Sequence, residues 1–186
     1  MQSDQEIEVK FKIDDLDLFE NKIIEVGGKL VFDKVFQETI RFDTPEEDLQ
    51  KRGTFIRVRS GEKNTMTLKK KLHAVDAEYK ERLELEMEIG SIEMATKILE
   101  ELGYSRKFIM QKYRTEYALS GTILALDRLP FGNYIEIEGG KSQIESTILQ
   151  LGIDGSERLT GSYWHLFDEY NKGNGVVNPS EDIVFG

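Results

Sequence analysis

The chain has 186 residues, 39% hydrophobic and 32% charged, with a formal net charge of −10. That length suits one domain with a real core, and the acidic balance argues against a general nucleic-acid or anionic-membrane surface. The absence of cysteine excludes disulfides, thiolate metal sites and thiol nucleophiles, and no signal-peptide pattern or long apolar run is visible, so the expectation is a soluble cytoplasmic protein.

The segment 6–13 alternates strictly, with Glu6, Glu8, Lys10 and Lys12 on one face and Ile7, Val9, Phe11 and Ile13 on the other, which predicts a strand. Asp14-Asp15 can cap a following helix whose apolar positions are Leu16, Phe19, Ile23 and Val26, closed by Gly27-Gly28. Residues 30–42 read as one strand or two, ending in a turn at Thr44-Pro45. Strands follow at 54–59, 64–72 and 79–89, then a helix over 91–102 with Ile92, Ala95, Ile98, Leu99 and Leu102 as its buried stripe. After Gly103 come strands at 108–119, 123–127 and 134–138, and Ser142-x-x-Glu145 reads as a capping box opening a helix that runs to Leu151. Tyr163, Leu166, Phe167 and Tyr170 mark a last short helix; packing is the expected role of Tyr163, Trp164 and Phe167, with cover of a tunnel mouth as the alternative. Residues 1–172 are expected to form a single domain and 173–186 a loosely structured tail. Three acidic strands, around Glu6-Glu8, Glu86-Glu88 and Glu136-Glu138, each lead into a helix that ends at a glycine.

The polar faces of these strands are almost purely ionic. They carry Glu6, Glu8, Lys10 and Lys12; Arg57 and Arg59; Thr67, Lys69 and Lys71; Arg82, Glu84, Glu86 and Glu88; Lys112, Arg114 and Glu116; and Glu136 and Glu138. A sheet with one face on a core and the other in water would explain any one strand. Across all of them, the competing arrangement is a closed barrel with its charges inward and its helices on the apolar outside. Such an interior is costly unless its charges pair or hold a highly charged ligand. Clustered arginine and lysine suit phosphate oxygens, and glutamate pairs suit Mg²⁺ or Mn²⁺. With only His73 and His165 in the chain, a zinc centre or histidine triad lacks its groups, and both are expected to be structural or surface residues.

In order along the chain, Glu6-x-Glu8-x-Lys10, Phe42-Asp43-Thr44-Pro45, Ile56-Arg57-Val58-Arg59, Thr67-Leu68-Lys69, Glu84-x-Glu86, Lys112-x-Arg114, Asp127 and Gly132-Asn133-Tyr134-Ile135-Glu136-Ile137-Glu138 form a series, followed by Ser162-Tyr163. The series resembles the CYTH superfamily, the triphosphate tunnel metalloenzymes, over residues 6 to about 170. Members include class IV adenylyl cyclases, thiamine triphosphatases, inorganic triphosphatases and, more distantly, fungal-type RNA triphosphatases. The resemblance implies an α+β fold: an eight-stranded antiparallel β-barrel with helices packed outside and a triphosphate along its axis.

By the same resemblance, Lys10, Arg57, Arg59, Lys69, Lys112 and Arg114 would grip phosphate oxygens and serve catalysis, with Lys71 and Arg82 as further substrate contacts. Glu6, Glu8, Glu136 and Glu138 would hold one or two Mg²⁺ or Mn²⁺ ions, with Glu86 and Asp127 as further ligands or orienters. Some triphosphatases of this family carry a tyrosine just before the Asp-Thr-Pro turn; here Arg41-Phe42 stands there, so a Tyr–Lys dyad is not carried over. The implied activity is metal-dependent hydrolysis of a triphosphate, whether tripolyphosphate, thiamine triphosphate or another organic triphosphate. Cyclisation of ATP is the alternative, and a non-catalytic polyphosphate-binding module is a second one. No adenine pocket is visible in the sequence. The expected partner is the small-molecule triphosphate, with no nucleic acid and no membrane; a homodimer stays open, since no exposed apolar stripe argues for it.

Overall fold

The computed structural model describes residues 5–72, 78–176 and 182–186; His73 lies outside them. The elements in chain order are β1 (Gln5–Ile13), α1 (Leu16–Glu25), β2 (Lys29–Asp43), α2 (Asp48–Lys51), β3 (Thr54–Ser60), β4 (Thr65–Lys71), β5 (Lys80–Glu88), α3 (Ile92–Glu101), β6 (Ser105–Leu119), β7 (Thr122–Leu129), β8 (Gly132–Glu138), α4 (Lys141–Gln150) and α5 (Tyr163–Gly173). The eight strands close into an antiparallel barrel in the order β1-β5-β4-β3-β2-β6-β7-β8. No helix of the described residues is long and apolar enough to cross a membrane.

Period-2 alternation sends the two faces of each strand to opposite sides of the wall. The apolar side faces out: Val9, Phe11, Leu124, Leu126, Ile135 and Ile137 pack with Ile23 of α1 and with Ile144, Ile148 and Leu151 around α4 in one buried cluster. A second cluster joins Ile40, Phe42 and Val58 to Ala95 and Leu99 of α3. The charged side faces in, so this barrel inverts the usual distribution of a small β protein.

Several elements start where their caps require. The Asp15 carboxylate accepts from the Leu18 amide at 3.0 Å to open α1, and Ser91 accepts from Met94 at 3.1 Å to open α3. At the end of β2, the Asp43 carboxylate accepts from the amides of Thr44, Leu49 and Gln50 at 2.7–2.9 Å. This locks the Thr44-Pro45 turn to α2, a single helical turn that the sequence pattern does not announce.

The structure departs from the sequence pattern at several points. The capping box at Ser142 and Glu145 does not form: α4 starts at Lys141 with Gly140 as its N-cap and no side-chain cap. Glu145 instead binds Tyr79 and, at 2.6 Å, Arg158. In α3 the buried residues are Ala95, Thr96 and Leu99, while Ile98 and Leu102 stay 54% and 68% exposed. The helix meets the sheet mainly over β3, and on the outer face of β5, the strand beyond β4, Leu85 and Met87 are exposed as well, so an apolar surface does exist here. The ambiguous stretch 30–42 is one strand, bent by register shifts near Phe32 and between Arg41 and Phe42. In the segment expected to be loose, α5 runs to Gly173 and Ile183 is fully buried, its carbonyl accepting from Gln111 at 2.7 Å.

Candidate active site

The inward faces converge on a cavity lined by Glu6, Glu8 and Lys10 of β1, Arg57 and Arg59 of β3, Lys69 of β4, Glu84 and Glu86 of β5, Lys112 and Arg114 of β6, and Glu136 and Glu138 of β8. The register explains the convergence. Glu8 stands opposite Glu138 on one side and Lys80 on the other, Lys10 opposite Glu136, and Arg57 opposite Thr67, which pairs in turn with Glu86.

Acids and bases neutralise one another around the wall. Lys10 Nζ lies 2.5 Å from Glu8 and 3.0 Å from Glu136. Lys69 Nζ lies 2.5 Å from Glu6 and 2.7 Å from Glu84. Arg57 reaches Glu84 at 3.1 Å, and Arg59 reaches Glu86 at 3.3 Å. Arg114 donates to Asp127 at 2.7 Å and 2.5 Å and also holds Glu136. Burial opposes the charge on Lys10, but Glu136 and Glu8 hold its pKa above the ordinary lysine range; burial likewise opposes the charge on Glu136, which Lys10 and Arg114 keep well below the carboxylate range.

The balance is incomplete in two places. On the basic side, Arg57 crowds Arg59 and, with burial, lowers it to about 10. Burial and the neighbouring Arg114 lower Lys112 to about 7, and burial lowers Lys80 to about 8. On the acidic side, Glu138 is exposed at the end of β8, yet desolvation of its carboxyl by the surrounding wall, with Glu6 and Glu8, pushes it up to about 7. Burial and Glu8 raise Glu6 as well. Glu6 Oε2 is buried with no hydrogen-bond partner, and Glu138 has no hydrogen bond or ion pair, among the described residues. Cations short of anions therefore stand beside carboxylates short of cations.

Not every expected residue joins this wall. Asp127 is fully buried behind it, its carboxylate accepting from Lys112, Arg114 and Tyr163, a position from which it orients the two bases. Glu86 does line the cavity, but its carboxylate is engaged by Thr67 at 2.7 Å and by Arg57 and Arg59. Lys12 and Lys71 are exposed and outside the cavity wall. Arg82 is outside it too, its guanidinium 5.3 Å from the Phe55 ring. His165 is at the surface, 3.4 Å from Glu169.

Other residues join that were not among the expected ligands and bases. Lys80 is paired with Glu8; the alternation of Arg82 and Glu84, continued one step toward the N-terminus, would have found it. Tyr163 and Trp164, expected to pack, both line the cavity. The Tyr163 hydroxyl donates to Asp127 at 2.7 Å, and its ring lies 5.4 Å from each of the Lys10 and Lys112 ammoniums. Phe167 does pack, 5.2 Å from Phe131.

This inward-charged, eight-stranded barrel is the architecture of a known group. Residues 4–154 match the CYTH domain, and the chain belongs to that family. Among solved structures it is similar to a candidate adenylate cyclase from Vibrio parahaemolyticus, at 19% identity and a TM-score of 0.77 over 88% of this chain and 97% of the other. A conserved hypothetical protein from Pyrococcus furiosus is 27% identical, with a TM-score of 0.72 over 85% and 97% of the two chains. A candidate adenylyl cyclase from Hippeastrum with a dominant triphosphatase activity is 19% identical, with a TM-score of 0.61 over 88% and 95%. No curated protein matches the chain.

Proposed function

We propose that this protein hydrolyses a triphosphate held inside the barrel, with Mg²⁺ or Mn²⁺ bound beside it. The observation that carries this reading is the double shortfall of charge on the cavity wall. Phosphate oxygens would relieve the crowding of Arg57, Arg59, Lys112 and Arg114, and a divalent cation would relieve Glu6 and Glu138.

The donor set fits such a cation. It is made only of carboxylate oxygens, with one of them orphaned, and among the described residues no three acidic side chains form a ready-made cage. Mg²⁺ is commonly held in this way, by one or two carboxylates plus the phosphates of its substrate. Glu6 and Glu138 would hold it, with Glu8 and Glu136 beside them. When bound, it would supply charge neutralisation for the phosphate oxygens and a more acidic water.

The residues of the chain do the rest. Arg57, Arg59, Lys69 and Arg114 align the phosphates and stabilise charge that develops during cleavage; phosphoryl transfer asks mainly for positioning and neutralisation. Asp127 and Tyr163 keep Lys112 and Arg114 aimed inward. Cyclisation of ATP would use the same grip on the phosphates. The test is ³¹P NMR of the protein with tripolyphosphate and, separately, with ATP, each with Mg²⁺ and then Mn²⁺. Orthophosphate release from either triphosphate supports hydrolysis. Pyrophosphate and cyclic AMP from ATP would replace hydrolysis by cyclisation, and unchanged spectra in every tube would overturn both.

A further inference from the structure

One end of the cavity has a different chemistry. The inward positions of β3, β2 and β6 change there from phosphate-type donors to Phe55, Arg41 and Phe108. Two strand residues span about 7 Å, so Phe55 is one such step from Arg57, and Phe108 two steps from Lys112. Trp164 of α5 closes this end. Its ring is stacked on Phe108, with centroids 6.4 Å apart and planes 24° apart, and it remains 38% exposed.

Arg41 sits between the aromatic walls, its guanidinium carbon 5.1 Å from the Phe55 ring and 5.5 Å from the Phe108 ring. Gln50 fixes one end of it at 2.8 Å, while its Nε is buried and unbonded among the described residues. A bare polyphosphate has no use for aromatic faces. A ring joined to the phosphates does, since flat aromatic ligands stack on exposed indole and phenyl faces and heteroatoms at a ring edge accept from guanidinium. Of Arg41, Phe55, Phe108 and Trp164, only Trp164, on α5, lies outside the segment 4–154 that matches the family.

Resting on the triphosphate reading of the barrel, we infer that Phe55, Phe108, Trp164 and Arg41 form a subsite for the aromatic ring of an organic triphosphate. The substrate class is thereby a triphosphate ester of nucleoside type, with its ring at the α5 end and its phosphates among Arg57, Arg59, Lys112 and Arg114.

Trp164 is the single tryptophan of the chain, so its emission reports on the subsite alone. The experiment compares the non-hydrolysable β,γ-imido analogue of ATP with tripolyphosphate on the full chain, without added divalent metal so that neither is turned over. Stopped-flow emission is read in the wild type, and calorimetric affinity in the wild type, Trp164→Leu and Phe108→Leu. The expected result is quenching by the nucleotide, and a fall of about tenfold in nucleotide affinity in each variant with tripolyphosphate affinity unchanged. Retained tripolyphosphate binding also shows that each variant is folded. An unchanged ratio of the two affinities in both variants, or nucleotide binding that leaves Trp164 emission unaltered, overturns the subsite while leaving the triphosphate reading standing. Binding of neither ligand by the wild type overturns both.

Discussion

Glu136 and Glu138 lie two residues apart on β8, yet their surroundings differ. Glu136 carries Lys10 and Arg114, whereas Glu138 has no such partner among the described residues and is pushed up to about 7 by desolvation and by Glu6 and Glu8. Glu138→Ala should therefore leave the melting temperature nearly unchanged and lower metal-dependent turnover roughly 10²-fold; normal rates at saturating Mg²⁺ and Mn²⁺ would remove it from the cation site. Glu136→Ala strands two buried cations and should cost about 3–5 kcal/mol of stability, seen as a melting temperature lower by roughly ten degrees. On the basic side, Arg59→Ala should raise the barrier by about 2–4 kcal/mol, roughly 10²–10³ in rate. Lys112 gives a pH signature. Its pKa is lowered to about 7, so it is mostly neutral at pH 8, and an anion beside it favours the protonated form. Calorimetry at pH 8 in buffers of different ionisation enthalpy should show proton uptake on tripolyphosphate binding, fading as pH falls below 7. Equal heats in all buffers at pH 8 would mean that Lys112 does not meet the anion.

Among the elements, the strands were the most legible. Period-2 alternation of one charged and one apolar face located β1, β3, β4, β5 and β8 to within a residue or two, and the ionic uniformity of the charged faces pointed to an inward side. The recurrence of an acidic strand leading into a helix also has a structural counterpart: β1–α1, β5–α3 and β8–α4 each end in a ten-residue helix followed by a left-handed glycine, Gly27, Gly103 or Gly152. Less legible was whatever depends on long-range placement. No local pattern says that Asp127 sits behind the wall, that Arg158 draws Glu145 away from a cap, or that α5 turns Tyr163 and Trp164 into the cavity. The helix α5 makes its own prediction. Tyr163→Phe removes a hydrogen bond to a buried carboxylate that orders Lys112 and Arg114, worth about 1.5–3 kcal/mol. Both the melting temperature and tripolyphosphate affinity should fall; an unchanged affinity would make the contact purely structural.

At the scale of the whole molecule, a barrel lined with paired charges is an unfavourable interior until a ligand of matching charge completes it. Saturating tripolyphosphate with Mg²⁺ should thus protect the fold, by about 2.7 kcal/mol at a hundred times the dissociation constant. For a chain of this length that is a rise of roughly 5–10 °C in melting temperature, and a flat melting temperature under those conditions would contradict ligand binding in the cavity.

Closure of the ring also governs the order of events during folding. Glu8 meets Lys80 across one seam and Glu138 across the other, so the N-terminal strand pairs with two partners far along the chain. Contacts between remote segments carry a large loop-closure cost and form late. The helices and hairpins can therefore assemble first, while the seam that bears Glu6, Glu8 and Lys10 waits for the last strand. On dilution from denaturant, helical signal should return before the capacity to bind tripolyphosphate, because the residues that give the cavity its chemistry are the ones that finish the circle.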